Sequence, residues 1–210
     1  MKSAGSLRCF LLLFGSCGVV TVWAQTQPRP QMVPQIRGYT SWTAVNKTPA
    51  AMNPDVAVLC APPPSAPNQK PVKGTQGPHA KKWINVFVNS QGANAMLTQK
   101  RPRFPVGTVI VKQKLPSVTS KGSKTEGAGI TPELLTVMIK RAPNYNRSNG
   151  DWEYLVTNGA GDKVTAKGKL KSCQGCHRPY AKTDYVVRSY LPPSVFQALK
   201  ETNNAMSKPK

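Results

Sequence analysis

Hydrophobic and polar residues alternate along four segments of the chain, which is the pattern of half-buried β-strands. The segments span 83–89, 107–115, 133–141 and 152–157. An Asn-Gly pair in "TNGAGD" follows the last of them and predicts a hairpin with "KVTAKGKL". The stretches "SQGANAMLTQ" and "GYTSWTAVN" favour short helices. Together these elements predict an α+β fold, a mainly antiparallel sheet with a few short helices packed on it.

Composition divides the chain into four regions. A basic start, an apolar run and a small-residue cleavage site predict a secretory signal peptide over 1–24, and hence a periplasmic or secreted protein. Residues 25–37 are rich in Pro and Gln and predict an extended lead-in. The folded domain is expected over 38–200 with a Pro-rich loop at 60–78, and a flexible basic tail over 201–210.

The formal net charge of the whole chain is +21. The basic residues are scattered, without a run of the kind that binds nucleic acid, and export also argues against a nucleic-acid partner. A positive surface suits an acidic redox partner. Beyond the predicted signal peptide no apolar stretch is long enough to span a membrane.

The pentapeptide "CQGCH" near the end of the chain is the attachment pattern of c-type haem. In that chemistry Cys173 and Cys176 add to the two vinyl groups of one covalently held haem c, and His177 is the proximal ligand of the iron. Two alternatives remain open on the residues alone. A zinc site could combine both cysteines with Cys60 and His79, or the cysteines could form a redox dithiol.

Three further stretches resemble the cytochrome P-460 / cytochrome c′-beta family. They are "CQGCHRPYAKTDYVV", "FPVGTVIVKQKL" and "MIKRAPNYNRSNGDWEYLV", and the resemblance extends over about 40–190. It implies a mainly antiparallel β fold, a haem near the C-terminus and, in many members, a homodimer. It also implies an open haem site for small nitrogen compounds such as hydroxylamine or nitric oxide.

Strand alternation places Lys112 on the same face as Ile110 and Lys114. Burial among β-branched neighbours would lower the pKa of Lys112 and give the neutral amine, the nucleophilic form. The resemblance implies that Lys112 matches the lysine whose nitrogen bonds to the porphyrin edge in the hydroxylamine-oxidising members. A solvated strand lysine is the alternative.

The resemblance also reveals a departure at Thr136. The hydroxylamine-oxidising members keep an acidic residue on the distal side of the haem, and a gap-free count back from Trp152 puts Thr136 in that place. Glu133 lies three residues away, and threonine cannot do the proton transfer of a carboxylate. Two functions therefore stay open, hydroxylamine oxidation and non-catalytic gas binding or electron transfer. Trp152 and Tyr154 are expected in the core, and Cys60 has no assigned role.

Overall fold

The structure is a computed structural model that describes residues 31–54, 82–116 and 131–206, with side chains up to residue 199. The predicted signal peptide and the Pro-rich loop lie outside the described residues, as do Cys60 and His79. None of the helices within the described ranges has the length and apolarity that crossing a bilayer requires.

Seven antiparallel strands form one sheet in the described part of the chain. Strands β3 to β7 are neighbours both in sequence and in space, and the two-residue strands β1 and β2 pair with the free edge of β3. The strands are β1 Thr43–Ala44, β2 Ala50–Ala51, β3 Trp83–Val88, β4 Val109–Leu115, β5 Leu134–Lys140, β6 Trp152–Asn158 and β7 Val164–Gly168. The four strands predicted from alternation are β3 to β6, and the predicted α+β fold is confirmed.

The helices are short and pack mainly on one side of this sheet. They are α1 Ser90–Thr98, α2 Lys171–His177 and α3 Pro193–Met206, with 3-10 turns at Pro34–Ile36, Tyr39–Ser41, Arg147–Asn149 and Arg178–Thr183. The helix predicted from "SQGANAMLTQ" is α1. Helix α3 enters the region predicted as a flexible tail. Ile36 of the predicted lead-in is fully buried, so the end of that region belongs to the fold.

Both faces of the sheet are covered, because alternate side chains build two separate apolar clusters. We call one of them the helical face, since α1, α3 and the segment 186–191 pack on it. Its buried strand residues are Ile84, Val86, Val88, Ile110, Met138, Trp152 and Tyr154. The opposite face contains Val111, Leu135 and Leu155 and is covered by Ile36 and Tyr39. Ile110 and Val111 thus lie on opposite faces, as alternation requires.

The hairpin predicted between β6 and β7 is present, but its loop is longer than a two-residue Asn-Gly turn. Strand β6 ends at Asn158 and β7 begins at Val164. The Asn158 side chain accepts hydrogen bonds from the backbone N–H groups of Asp162 and Lys163 and so closes the loop. A register shift in β6 precedes the loop, between Val156 and Thr157.

Arg188 joins the segment 186–191 to the end of α1. Its Nη1 donates to the Gln99 carbonyl and its Nη2 to the Met96 carbonyl, both at 2.7 Å. A cation at a helix C-terminus satisfies carbonyls that lack intrahelical partners and complements the helix dipole. Because Val187 and Tyr190 of this segment line the cavity described below, Arg188 also fixes part of the cavity wall.

Candidate cofactor site

Helix α2 presents the CQGCH motif to a single cavity. Cys173, Cys176 and His177 stand at positions i, i+3 and i+4 of the helix, and residues at this spacing share one helix face. All three line the same cavity. Local helix geometry therefore explains why two cysteines and a histidine at this spacing can act on one bound group.

The imidazole of His177 is oriented by a backbone carbonyl. Its Nδ1 lies 2.7 Å from the Tyr185 carbonyl oxygen. A carbonyl can only accept, so Nδ1 carries the proton and Nε2 keeps its lone pair for a metal. Burial lowers the pKa of His177 to about 4; the nearby Lys112 adds to this effect and the Tyr185 carbonyl opposes it. The neutral imidazole, the form that binds metals, is therefore present at neutral pH.

The two cysteines of the motif differ in state. Cys173 is a free, half-buried thiol whose pKa is raised by burial, so it stays protonated. Cys176 is buried and disulfide-bonded. A thioether forms from a thiol, so Cys176 has to be reduced before it can hold a haem vinyl group.

The cavity has a volume of about 240 Å³ and lies between α2 and the helical face. Its walls are largely apolar and include Met52, Ile84, Ile110, Met138, Val187 and Tyr190. Apolar walls with a few convergent polar groups are the usual lining of a cofactor site. No carboxylate occurs among the lining residues in the described ranges.

Lys112 lines this cavity from strand β4, together with Cys173 and His177 of α2. Its pKa is lowered first by burial; Cys173 opposes this shift and Lys114 reinforces it. The predicted strand face is therefore correct: Lys112 points to the side of the sheet that carries the motif.

Thr136 also lines the cavity and is the register partner of Lys112 on β5. Glu133, the carboxylate nearest to Thr136 in sequence, does not line the cavity and instead pairs with two lysines. Its Oε1 lies 2.5 Å from the Lys82 ammonium and its Oε2 lies 3.5 Å from that of Lys114. Thr136 thus places a hydroxyl where, by the resemblance, the hydroxylamine-oxidising members keep an acidic residue.

Tyr154 is both a core residue and a cavity residue. The prediction that Trp152 and Tyr154 lie in the core is confirmed, and Tyr154 in addition reaches the cavity, where its ring lies 5.5 Å from that of His177. Its hydroxyl is buried without a hydrogen-bond partner among the described residues. Burial raises the pKa of Tyr154, with Cys173 and Tyr185 adding to the shift, so the hydroxyl remains a donor. The signal in the sequence that could have indicated this role is the hydroxyl of Tyr154, a polar group on an otherwise apolar face of β6.

These residues fit a haem. The walls suit an apolar macrocycle, Nε2 of His177 suits iron, and the unpartnered Tyr154 hydroxyl offers a hydrogen bond to a bound group. The family profile described as Cytochrome P460 matches residues 36–188. The chain belongs to the cytochrome P460 family. It is therefore a haem-binding protein, and the family expected from the motifs is confirmed. The chain matches no curated protein sequence.

The alternative zinc site would combine the two cysteines of the motif with Cys60 and His79, which lie outside the described residues. Within the described ranges no group of three His, Cys, Asp or Glu side chains is placed to hold a metal ion. Haem is therefore the cofactor that both the family and the described cavity support.

Proposed function

We propose that this chain is an exported c-type cytochrome of the P460 family that binds small nitrogen compounds, such as nitric oxide or hydroxylamine, at an open haem site. One observation carries the proposal. The thiol of Cys173, the imidazole of His177 and the amine of Lys112 line one largely apolar cavity. These residues would hold a haem, and the largely apolar lining would admit a small ligand to it.

The residues of α2 would hold the haem. Cys173 and Cys176 would form thioethers with its two vinyl groups, and Nε2 of His177 would bind the iron. When bound, the haem supplies an iron centre that takes a small nitrogen ligand and exchanges electrons. The chain itself supplies apolar walls, the oriented imidazole and the Tyr154 hydroxyl.

The composition of the cavity favours ligand binding over oxidation. Removing protons from hydroxylamine needs a base within hydrogen-bond reach. The described lining contains no carboxylate, and neither Thr136 nor Tyr154 is a base at neutral pH, because burial keeps the Tyr154 hydroxyl protonated. The amine of Lys112 is the remaining candidate base, and it is lost as such if it bonds to the porphyrin. We therefore favour a gas-binding site as the primary function.

Hydroxylamine oxidation is the second candidate, and the position of Lys112 favours it. Burial lowers the pKa of this amine, which increases its neutral, nucleophilic fraction. The Lys112 amine could bond to the edge of a bound porphyrin. Such a bond would remove one hydrogen from each partner, so it would need a two-electron acceptor such as a peroxide or dioxygen. In turnover, the electrons removed from hydroxylamine would pass to an external acceptor.

Mass spectrometry of the haem peptide tests the role of Lys112. If the bond forms, the peptide with Lys112 stays attached to the haem peptide after proteolysis, and the product is lighter by two hydrogen atoms than its parts. Lys112→Arg keeps the positive charge but removes the amine, so it should release the strand peptide and abolish hydroxylamine oxidation. Lys114→Arg, on the next residue of the same strand face, is the matched control and should change neither result. Wild-type haem held only through Cys173 and Cys176 would contradict the crosslink.

The absorption spectrum of the ferrous protein tests the gas-binding site. We expect a five-coordinate spectrum with His177 as the protein ligand, and a shift of the Soret band when nitric oxide is added. Without a lining carboxylate, hydroxylamine turnover should be slow or absent. A six-coordinate ferrous protein that does not respond to nitric oxide would rule out the open site.

We also propose that the protein is exported, that it meets an acidic redox partner and that it forms a homodimer, as the family resemblance implies. Haem attachment to CQGCH takes place outside the bacterial cytoplasm, which supports the signal peptide over 1–24 and a periplasmic location. The net charge of +21 supports steering of an acidic partner.

A further inference from the structure

Two neighbouring residues just after the haem motif adopt a backbone conformation that non-glycine residues rarely adopt. Asp184 has φ 53° and Tyr185 has φ 64°. For L-residues this left-handed region costs of the order of 1 kcal/mol each, and such strain persists only where the surroundings fix it. The pair follows the 3-10 segment Arg178–Thr183 directly.

The strained pair is held through the buried carboxylate of Asp184. Both of its oxygens lie 2.7 Å from the Lys140 ammonium, and the Phe104 backbone N–H donates to Oδ2 at 2.9 Å. The backbone carbonyl of Asp184 accepts from Nε1 of Trp152 at 2.7 Å. Four contacts from three distant parts of the sequence thus fix one residue.

Gly150 packs against the Asp184–Tyr185 pair and also contacts Lys140. Lys140 donates to its carbonyl at 2.8 Å. A Cβ at this position would lie 2.5 Å from Cδ2 of Tyr185 and 2.9 Å from Oδ1 of Asp184. Any side chain here would push against the turn, so the loop before β6 is shaped around the Asp184–Tyr185 pair.

The turn presents the carbonyl of Tyr185 to His177. That carbonyl accepts from Nδ1 at 2.7 Å, and the Tyr185 N–H donates to the Tyr180 carbonyl at 2.8 Å. We propose that the Lys140–Asp184 ion pair is a positioning device that holds the Tyr185 carbonyl against Nδ1 of His177 and so sets the electron density of the proximal imidazole. This inference rests on the proposed function, in which His177 binds the haem iron.

The physical consequence concerns the reduction potential. A strong hydrogen bond from Nδ1 makes the imidazole a better electron donor, which favours the ferric state. If the turn loosens, the hydrogen bond weakens and the potential rises. Neither Lys140 nor Asp184 lines the cavity, so a positioning role would act through the backbone of Tyr185.

Two substitutions separate positioning from the direct effect of charge. Asp184→Asn keeps a side chain that tolerates the left-handed conformation but removes the negative charge, and Lys140→Met removes the positive one. A direct Coulomb effect would raise the potential in Asp184→Asn and lower it in Lys140→Met. Positioning predicts that both variants raise it, because both break the same ion pair.

A second ion pair, formed by the residue that follows Lys140 and a residue of β6, provides the matched control. Glu153, also buried, pairs with Arg141. Glu153→Gln should lower the stability in the way Asp184→Asn does, and leave the potential unchanged. Lys140→Arg keeps the ion pair and should retain a potential near the wild-type value even if Asp184→Asn fails to fold.

The test is a redox titration of the haem-loaded proteins together with the iron–histidine vibration of the ferrous state in resonance Raman spectra. We expect an upward shift of the potential and a lower vibrational frequency in both Asp184→Asn and Lys140→Met. Potentials that move in opposite directions, or an unshifted vibration, would overturn the positioning role and leave the haem site intact. Absence of an iron–histidine vibration in the wild type would instead overturn the proposed function, and this inference with it.

Discussion

Replacement of both Cys173 and Cys176 by alanine is expected to abolish the covalent attachment of haem. Thioether bonds to the two vinyl groups are the only links that survive denaturation if Lys112 is not bonded, and both start from these thiols. The haem-dependent peroxidase stain of a denaturing gel should disappear in the double variant. The amount of haem-loaded protein should fall by at least about 100-fold, since losing a group that merely hydrogen-bonds a metal ligand already costs about 10–100-fold in metal affinity.

Single variants refine this expectation. Cys173→Ala or Cys176→Ala alone leaves one thioether and should shift the absorption of the reduced haem, because one vinyl group remains unsaturated. Ser172→Ala, on an exposed lining residue next to Cys173, is the control and should keep the stain. A stain of wild-type strength in the double variant would mean that other residues, with Lys112 the first to examine, hold the haem.

Replacement of Trp152 by alanine is expected to cost about 3–5 kcal/mol in the free energy of unfolding, the usual range for a large aromatic residue in a core. Trp152 is fully buried, and its ring lies 5.6 Å from that of Phe104 in an edge-to-face arrangement. The Lys140 ammonium lies 4.9 Å from the centroid of the Trp152 ring, and Nε1 of Trp152 donates a hydrogen bond to the Asp184 carbonyl. Such a loss is a large part of the roughly 5–15 kcal/mol that stabilises an ordinary domain.

Urea unfolding of the haem-loaded protein measures this cost. Trp152→Phe keeps most of the apolar volume but loses the hydrogen bond to Asp184, and should therefore be destabilised by a smaller amount, about 1–3 kcal/mol. Val106→Ala, at an exposed residue, is the control and should unfold like the wild type. If Trp152→Ala cost less than about 1 kcal/mol, the ring could not be the anchor between β6 and the turn at Asp184.

Alternation predicted the strands because it reports a local property, the side of the chain on which apolar groups fall. It succeeded for β3 to β6, where six or seven residues share one pattern. It missed β1 and β2, which have two residues each and exist only because the edge of β3 offers hydrogen bonds. Such short strands carry no period of their own.

The same pattern could not separate core from cavity. Trp152 and Tyr154 lie on one face of β6, and both read as core residues in the sequence. The structure packs Trp152 against Phe104 but leaves the hydroxyl of Tyr154 buried without a partner among the described residues. The difference arises from what lies above each residue, because His177 of α2 faces Tyr154 whereas Phe104 packs against Trp152.

By itself, the sequence determined the sheet, the haem-binding motif and the face of β4 that Lys112 shares with Ile110, because each depends on residues within a few positions of one another. Only the tertiary structure decided which groups surround that motif. Lys140 and Asp184 stand 44 residues apart in sequence, yet they meet as an ion pair beside the turn that orients His177. Contacts of this kind are set by how strands and loops pack across the sheet, and no local pattern of residues encodes them.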